Sequence, residues 1–139
     1  MMSLNNAVEL VLYAFKNGSS GDIYVQKAPA ASIKTLSNTL LDIFNKRNYK
    51  KNIIGTRHGE KLYEVLLSKE EMLAAKDLGD YYKIPADLRD MNYEKYFEEG
   101  QIELTHKSEY SSSNTSQLSE KELKQMLIQL PYIKKLLKS

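Results

Sequence analysis

Apolar residues recur every three or four positions in two early stretches of the chain, which is the spacing of one face of an α-helix. The first stretch follows Ser3, a good helix N-cap, and ends at Asn17-Gly18. Its apolar positions are Leu4, Ala7, Val8, Val11, Leu12 and Phe15. The second stretch follows Ser32, and its predicted inward positions are Ile33, Leu36, Leu40, Ile43 and Phe44. The pattern therefore predicts two amphipathic helices.

Two further helix starts are marked by capping boxes, in which a serine is followed three residues later by glutamate. One box runs from Ser68 to Glu71, and the other from Ser119 to Glu122. The helix predicted after Ser119 has the apolar positions Leu123, Met126, Leu127 and Leu130. Pro131 ends that helix and starts a last short one, whose apolar positions are Ile133, Leu136 and Leu137. These C-terminal faces are expected to need a partner surface.

Short β-branched or aromatic runs between the helices predict strands. They lie at residues 23–27, 63–67 and 80–85, with a further short one at 102–104. The serine-rich run at 110–115 is typical of a flexible loop. Helices that alternate with short strands predict an α/β domain.

The stretch from Asn52 to Glu64 places two glycines around a fixed positive charge. Ile53-Ile54 favours a buried strand, and Gly55 and Gly59 allow a sharp turn or a close approach of a ligand. We interpret the stretch as an anion-binding corner between a strand and a helix.

Arg57 and Glu60 are the candidate binding groups of this corner. The planar guanidinium of Arg57 can bridge two oxygens of a phosphate or diphosphate, and Glu60 can accept hydrogen bonds from the hydroxyls of an adjacent sugar. The spacing fits equally a surface turn in which the two side chains form a local ion pair. The residues themselves leave both interpretations open.

Four segments in order resemble the C-terminal part of one protein family. They read MSLNNAVELVLYAF at 2–15, GDIYVQKAPA at 21–30, GTRHGEKLYE at 55–64 and IPADLRDMNY at 84–93. They are similar to CapD/CapE-like polysaccharide biosynthesis proteins, which are UDP-N-acetylhexosamine 4,6-dehydratases and 5-epimerases of the extended short-chain dehydrogenase/reductase superfamily. The resemblance covers most of the chain.

This resemblance implies a substrate-binding lobe of a Rossmann-type fold, with helices on a small sheet and a UDP-sugar as ligand. In the full-length family, NAD(P) takes a hydride from C4 of the sugar. The resemblance also implies substrate-side roles for Arg57, Glu60, Lys27, Arg89 and Asn114. Lys27 reads alternatively as a solvated lysine at a strand end. Arg89 reads equally as the ion-pair partner of a neighbouring aspartate.

Two motifs of the superfamily are missing from the sequence. No glycines form G-x-G-x-x-G, and no tyrosine is followed by lysine four residues later. We therefore expect a lobe without its dinucleotide domain, with no cofactor of its own and no dehydratase or epimerase activity alone. The expected division places the UDP-sugar lobe at 1–105 and a polar loop with C-terminal helices at 106–139.

The composition of the chain argues against several other classes of protein. The 139 residues carry a net charge of +2 and no cysteine, which excludes disulfides and thiolate metal sites. No apolar run is long enough for a membrane span, so a cytoplasmic location without a membrane partner is expected. The basic run at 46–51 fits the C-terminal end of a helix better than a nucleic-acid patch, and His58 and His106 lack metal-ligand spacing.

The resemblance leaves a second class of function open. The chain also fits a non-catalytic interaction or oligomerisation module that uses its C-terminal amphipathic helices. As an isolated lobe it is expected to form a homo-oligomer or to be only marginally stable, because the faces carrying Leu4, Val8, Val11 and Phe15, and Leu123, Leu127 and Leu130, would be exposed.

Overall fold

A computed structural model describes residues 1–86 and 108–138. The described elements are, in chain order, α1 (Leu4–Asn17), β1 (Ile23–Gln26), α2 (Ile33–Ile43), β2 (Val65–Leu67), α3 (Lys69–Ala74), β3 (Lys76–Asp77), β4 (Tyr81–Ile84), β5 (Tyr110–Ser111), α4 (Glu120–Gln129) and α5 (Pro131–Leu136). The chain divides into two compact units. The sheet unit comprises Met2–Ala28 and Tyr63–Asn114, and the helical unit comprises Met1, Pro29–Leu62 and Thr115–Ser139.

Four of the helices begin at a serine whose hydroxyl accepts a hydrogen bond from a backbone N–H three residues later. These caps are Ser3, Ser32, Ser68 and Ser119. The predicted capping boxes at Ser68 and Ser119 are complete, because Glu71 and Glu122 each accept from the backbone N–H of their serine. The predicted helix starts are therefore confirmed, including Pro131 at the start of α5.

The described residues of the sheet unit form two small antiparallel sheets. The first has the strand order β1-β4-β3, with Ile23 opposite Ile84, and the second pairs β2 with β5. Its core is formed by Leu67, Ile84 and Tyr110. The serine-rich run predicted as a flexible loop is ordered here, because its first two residues form β5 and Ser111 is buried.

The helical unit packs α4 and α5 against α2. Its core consists of Ile43, Leu123, Leu127 and Ile133, and Leu123 is fully buried at 0% exposure. The expectation that Leu123 and Leu127 would be exposed is therefore wrong, because α2 covers them within the same unit. By contrast, the apolar residues expected to be exposed on α1 are exposed.

The strand predicted at Ile53-Ile54 does not form. Residues 51–57 have no regular secondary structure, and Ile53 and Ile54 are 94% and 71% exposed. No strand among the described residues pairs with them, and β-branched side chains form a strand only where a neighbour and a covering surface exist. Ile33 was also predicted to face inward, but it is mostly exposed at the first position of α2.

Some predictions fall outside the described residues. They include the strand at 102–104, the boundary between residues 105 and 106, and the candidate ligand Arg89. Within the described ranges, no helix combines the length and the apolar character needed to cross a bilayer.

Candidate functional site

The segment that carries Arg57 forms a closed turn rather than a strand-to-helix corner. The backbone N–H of Glu60 donates to the carbonyl of Arg57 over 3.1 Å, and the carboxylate of Glu60 accepts from the backbone N–H of Arg57 over 2.8 Å. No helix follows, since residues 60–64 are irregular up to β2. The predicted strand-to-helix corner is therefore wrong, because neither the strand before Arg57 nor the helix after it forms, and the Glu60 carboxylate closes a single turn.

Gly59 makes this turn possible. Its φ is +83°, a backbone region that residues with a Cβ rarely adopt. A Cβ placed on Gly59 would meet nothing within 4 Å, so the glycine is required for its backbone conformation and not for space. The surroundings of the turn are therefore open to solvent or to a ligand.

The guanidinium of Arg57 makes no ion pair with any residue in the described ranges 1–86 and 108–138. The predicted alternative, a local ion pair with the Glu60 side chain, is not made, because the Glu60 carboxylate binds the backbone of Arg57. Both side chains are exposed. The turn thus fixes the backbone of Arg57 while its charged group remains available for a bidentate contact.

Lys27 of the sheet unit is already engaged. Its ammonium lies 2.5 Å from Asp77 Oδ1 and 4.4 Å from the centre of the Tyr82 ring. Burial acts to lower the pKa of Lys27, but the hydrogen bond to Asp77 and the nearby Tyr82 oppose it, and the net result is a raised pKa. Lys27 is therefore held as a cation next to the end of β1 and is not freely solvated, and its role in binding substrate stays a prediction.

Asn114 closes the loop that follows β5. Its Oδ1 accepts from the backbone N–H of Ser111 over 2.8 Å, and its Nδ2 donates to the carbonyl of Glu109 over 2.7 Å. These bonds use both ends of the amide to hold the loop. A role of Asn114 in binding substrate stays a prediction.

One connection was not predicted from sequence. The backbone of Glu64, at the end of the segment that carries Arg57, forms two hydrogen bonds with Ser112 in the 110–115 loop. Ser112 N–H donates to the Glu64 carbonyl over 2.8 Å, and Glu64 N–H donates to Ser112 Oγ over 2.9 Å. The residues are 48 positions apart, and no local sequence pattern marks this pairing. Ser112 therefore holds the backbone of Glu64 within the sheet unit.

The five predicted residues are only partly brought together. Arg57 and Glu60 share one turn of the helical unit, and Lys27 and Asn114 lie in the sheet unit. No hydrogen bond joins Lys27 to Asn114 in the described part of that unit. Arg89 lies outside the described residues.

A second polar region lies in the helical unit. A cleft of about 490 Å³ is lined by residues that include Asn38, Asp42, Arg47, Lys51, Glu120 and Lys124. Asp42 accepts from Lys124 over 2.5 Å and also from Arg47. The hydrogen bond from Lys124, and next that from Arg47, hold the pKa of Asp42 below its usual value. Lys124 of α4 thus links α4 to α2, whereas Arg47 of the basic run binds a side chain of α2.

The described residues contain no cluster of histidine, aspartate and glutamate that could hold a metal ion. The six glycines of the sequence also provide no dinucleotide cradle, so the residues present do not fit an NAD(P) site. We therefore assign no step of a reaction to a cofactor held by this chain.

Known protein families match this chain over residues 1–134. Residues 1–86 match the family described as polysaccharide biosynthesis protein, and residues 87–134 match the C-terminal region of polysaccharide biosynthesis proteins. The UDP-glucose 4-epimerases of Rickettsia rickettsii (strain Sheila Smith) and Rickettsia bellii (strain OSU 85-389) are each 52% identical to it over 139 residues. This is 100% of the chain and 40% of each relative, so the chain spans two fifths of the length of these relatives.

A solved structure supports the fold. The X-ray structure of Pen from Bacillus thuringiensis matches 94% of this chain and 36% of the Pen chain, with 31% identity and a TM-score of 0.69. The α/β architecture is thus the C-terminal lobe of an extended short-chain dehydrogenase-like fold, as predicted. Within that class, the chain belongs to the polysaccharide biosynthesis protein family.

Proposed function

We propose that this chain is the substrate-binding lobe of a nucleotide-sugar epimerase or dehydratase, and that it binds a UDP-sugar through the Arg57–Glu60 turn. The observation that carries the proposal is the geometry of Arg57, whose backbone is fixed by Glu60 while its guanidinium has no partner among the described residues. A guanidinium that extends from a fixed backbone and has no partner among the described residues is suited to a diphosphate. The name of the Rickettsia relatives, UDP-glucose 4-epimerase, supports a UDP-sugar.

In this proposal Arg57 binds the diphosphate and Glu60 accepts from the ribose hydroxyls. Glu60 retains this capacity because its contact with the Arg57 N–H uses one carboxylate oxygen, Oε2. Arg89 and Asn114 would add contacts from other segments, and Lys27 would act by holding the end of β1 in place. Orientation of the sugar is the contribution of such a lobe to the rate, because binding energy fixes the reacting carbon relative to the catalytic groups.

The finer proposal is that the sugar is N-acetylglucosamine and that the pathway makes a capsule or O-antigen polysaccharide. The Rickettsia relatives carry the name of a glucose nucleotide. Both sugars share the UDP moiety, so the Arg57 turn serves either.

NAD(P) would supply the hydride acceptor, and since the chain carries neither the glycine motif nor Tyr-x-x-x-Lys, we expect no turnover from the chain alone. Incubation with UDP-N-acetylglucosamine or UDP-glucose and NAD(P) tests this, and any product formed in proportion to the protein would contradict it.

Titration calorimetry with UDP tests the site. Arg57→Ala should bind UDP roughly tenfold to a hundredfold more weakly than the wild type. The reason is the loss of charge-assisted hydrogen bonding that contributes about 1.5 to 3 kcal/mol. Arg57→Lys should recover part of that affinity, because an ammonium keeps the charge without the two-pronged geometry.

Arg47→Ala is the matched control, since it removes an exposed guanidinium that is paired with Asp42. Its UDP affinity should equal that of the wild type. Equal affinities in all four proteins, with unchanged melting temperatures, would remove Arg57 from the site and the proposal with it.

The interaction module remains the second candidate, but one observation disfavours its predicted surface. The apolar faces of α4 and α5 are used inside the helical unit, where Leu123, Leu127 and Ile133 are buried. A module of that kind would also bind UDP no better than inorganic phosphate, so the same titration separates the two functions.

A further inference from the structure

The polar cleft of the helical unit carries more positive than negative charge. We call it the α2–α4 cleft, and its volume is about 490 Å³. Its charged lining residues are Asp42, Arg47, Lys51, Glu120, Lys121 and Lys124. Four of these are cations and two are carboxylates, so the cleft has an excess of two positive charges. None of its lining residues belongs to the turn from Arg57 to Glu60, so the cleft is separate from the proposed UDP site.

The two carboxylates of the α2–α4 cleft do not neutralise all four cations. Asp42 is shared, because it accepts hydrogen bonds from both Lys124 and Arg47. Glu120 binds an amide instead of a cation, since its Oε1 accepts from Asn38 Nδ2 over 2.7 Å. The second oxygen of Glu120, Oε2, has no hydrogen-bond partner in residues 1–86 and 108–138. One carboxylate oxygen of the cleft is therefore available to accept from a hydroxyl group.

Lys51 and Lys121 are the two cations that pair with no carboxylate in the described ranges of the chain. The ammonium of Lys51 donates one hydrogen bond, to Asn38 Oδ1, although an ammonium has three donors. Lys121 donates no side-chain hydrogen bond within the same ranges. Asn38 links Lys51 to Glu120, so the cation from the segment after α2 and the carboxylate of α4 belong to one polar network.

An excess of positive charge in a cleft favours an anionic ligand. A cleft lined by one sign of charge, with walls that contain buried or apolar groups, raises the local concentration of the opposite charge. Two lining residues, Leu41 and the fully buried Thr39, provide such a wall. A phosphate monoester carries a charge of about −1.5 to −2 near pH 7, which matches the two unneutralised cations. The nearby oxygen of Glu120 would repel a second anionic group but would accept from a neutral hydroxyl.

We propose that the α2–α4 cleft is a second ligand site, which binds a sugar phosphate. The phosphate monoester accepts hydrogen bonds from Lys51 and Lys121, and the sugar hydroxyls donate to Glu120. Because these side chains come from α4 and from the segment after α2, the ligand joins two parts of the helical unit and should stabilise it. The proposal is independent of the Arg57 site, since the two sites share no residue.

Titration calorimetry at low ionic strength tests the site, with glucose 1-phosphate as the probe. It should bind the wild type with a dissociation constant below about 1 mM, and inorganic phosphate should bind at least about fivefold more weakly because it lacks the sugar hydroxyls. Glucose, which lacks the charge, should not bind detectably. Equal affinities for glucose 1-phosphate and inorganic phosphate, or no binding of glucose 1-phosphate, would overturn the proposal.

Paired lysine variants locate the phosphate. Lys51→Ala and Lys121→Ala in one chain should bind glucose 1-phosphate at least about tenfold more weakly than the wild type. The matched control is Lys134→Ala with Lys135→Ala, which removes the same charge from exposed lysines of α5 outside the cleft, and its affinity should be unchanged. An equal loss in both double variants would reveal a general effect of charge and overturn the site.

Lys51→Arg with Lys121→Arg keeps both charges and should bind within about threefold of the wild type. This variant shows that a loss in the alanine variant comes from the missing charges and not from misfolding. An equally weak affinity in the arginine and alanine variants would overturn the role of the two charges.

Glu120→Gln tests the recognition of the sugar. Glutamine has a single side-chain oxygen, which the bond from Asn38 would use, so the preference for glucose 1-phosphate over inorganic phosphate should fall below about twofold. An unchanged preference would overturn the role of Glu120.

Arg57→Ala separates the two sites of the helical unit. It should bind glucose 1-phosphate as the wild type does, whatever its affinity for UDP. If Arg57→Ala lost this binding while the Lys51 and Lys121 alanine variant kept it, the phosphate would belong to the Arg57 turn. That result would overturn the second site and leave the proposed UDP site standing.

Discussion

The core of the helical unit and the turn that carries Arg57 lie in the same compact unit, but apolar residues are buried in the core and exposed beside the turn. Leu123 is fully buried between α2 and α4, whereas Ile53 and Leu62, on either side of the turn, are 94% and 84% exposed. Hydrophobicity is similar in the two regions. The difference is the presence of a regular element opposite each side chain, which α2 provides for Leu123 and which no described strand provides for Ile53. A turn with large apolar residues in water is typical of a surface that another molecule or segment covers.

The largest expected effect tests this contrast with two leucines. Leu123→Ala should lower the free energy of unfolding by about 2 to 5 kcal/mol, because it opens a cavity in a closed core. Leu62→Ala should change it by less than about 0.5 kcal/mol, because the side chain is exposed. Urea denaturation followed by far-UV circular dichroism measures both. A comparable loss in the two variants would mean that the turn is packed as tightly as the core.

A smaller effect separates conformation from packing within the turn. Gly59→Ala should cost about 1 to 2 kcal/mol, because alanine is disfavoured at a φ of +83° even though its Cβ meets no atom. His58→Ala is the control in the same turn, at a residue whose φ is not positive, and it should be nearly neutral. The same urea titration applies. If both variants were neutral, the turn would be open in solution and Gly59 would not set its shape.

Sequence reasoning succeeded where one short segment contains the whole signal. The caps at Ser3, Ser32, Ser68 and Ser119 each need only a hydroxyl and a backbone N–H three residues later, so the sequence is sufficient. It failed at Ile53 because a strand needs a partner from elsewhere. For the candidate site, it singled out Arg57 and Glu60 but not the hydrogen bonds that close their turn, and their role in binding stays a prediction. The link from Glu64 to Ser112 spans 48 positions and has no local signature.

The smallest expected effect concerns Asp42 of α2, which accepts hydrogen bonds from Lys124 and Arg47 beside the core of the helical unit. The pKa of Asp42 is lowered in the folded protein, chiefly by the hydrogen bond from Lys124. Its contribution to stability is therefore full above the ordinary value of 3.8, and it is lost as the pH falls through the lower folded pKa.

Asp42→Asn should lower the melting temperature slightly at pH 7, and the difference from the wild type should shrink below pH 3.8. Glu9→Gln is the control, since its carboxylate pairs with no described residue. A difference that stayed constant down to strongly acidic pH would show that Asp42 acts through packing and not through its charge.

The stacked tyrosines under α1 have a consequence for spectroscopy. The chain has ten tyrosines and no tryptophan, so its near-ultraviolet signal comes chiefly from tyrosine. The ring pairs Tyr13–Tyr81, Tyr13–Tyr24 and Tyr82–Tyr110 all lie in the sheet unit, whereas the described tyrosines of the helical unit, Tyr49 and Tyr132, are exposed. Near-ultraviolet circular dichroism, which requires fixed aromatic surroundings, therefore reports mainly on the sheet unit. Far-ultraviolet circular dichroism includes α2 and α4 as well, so the two wavelengths together reveal whether the two units melt in one transition or in two.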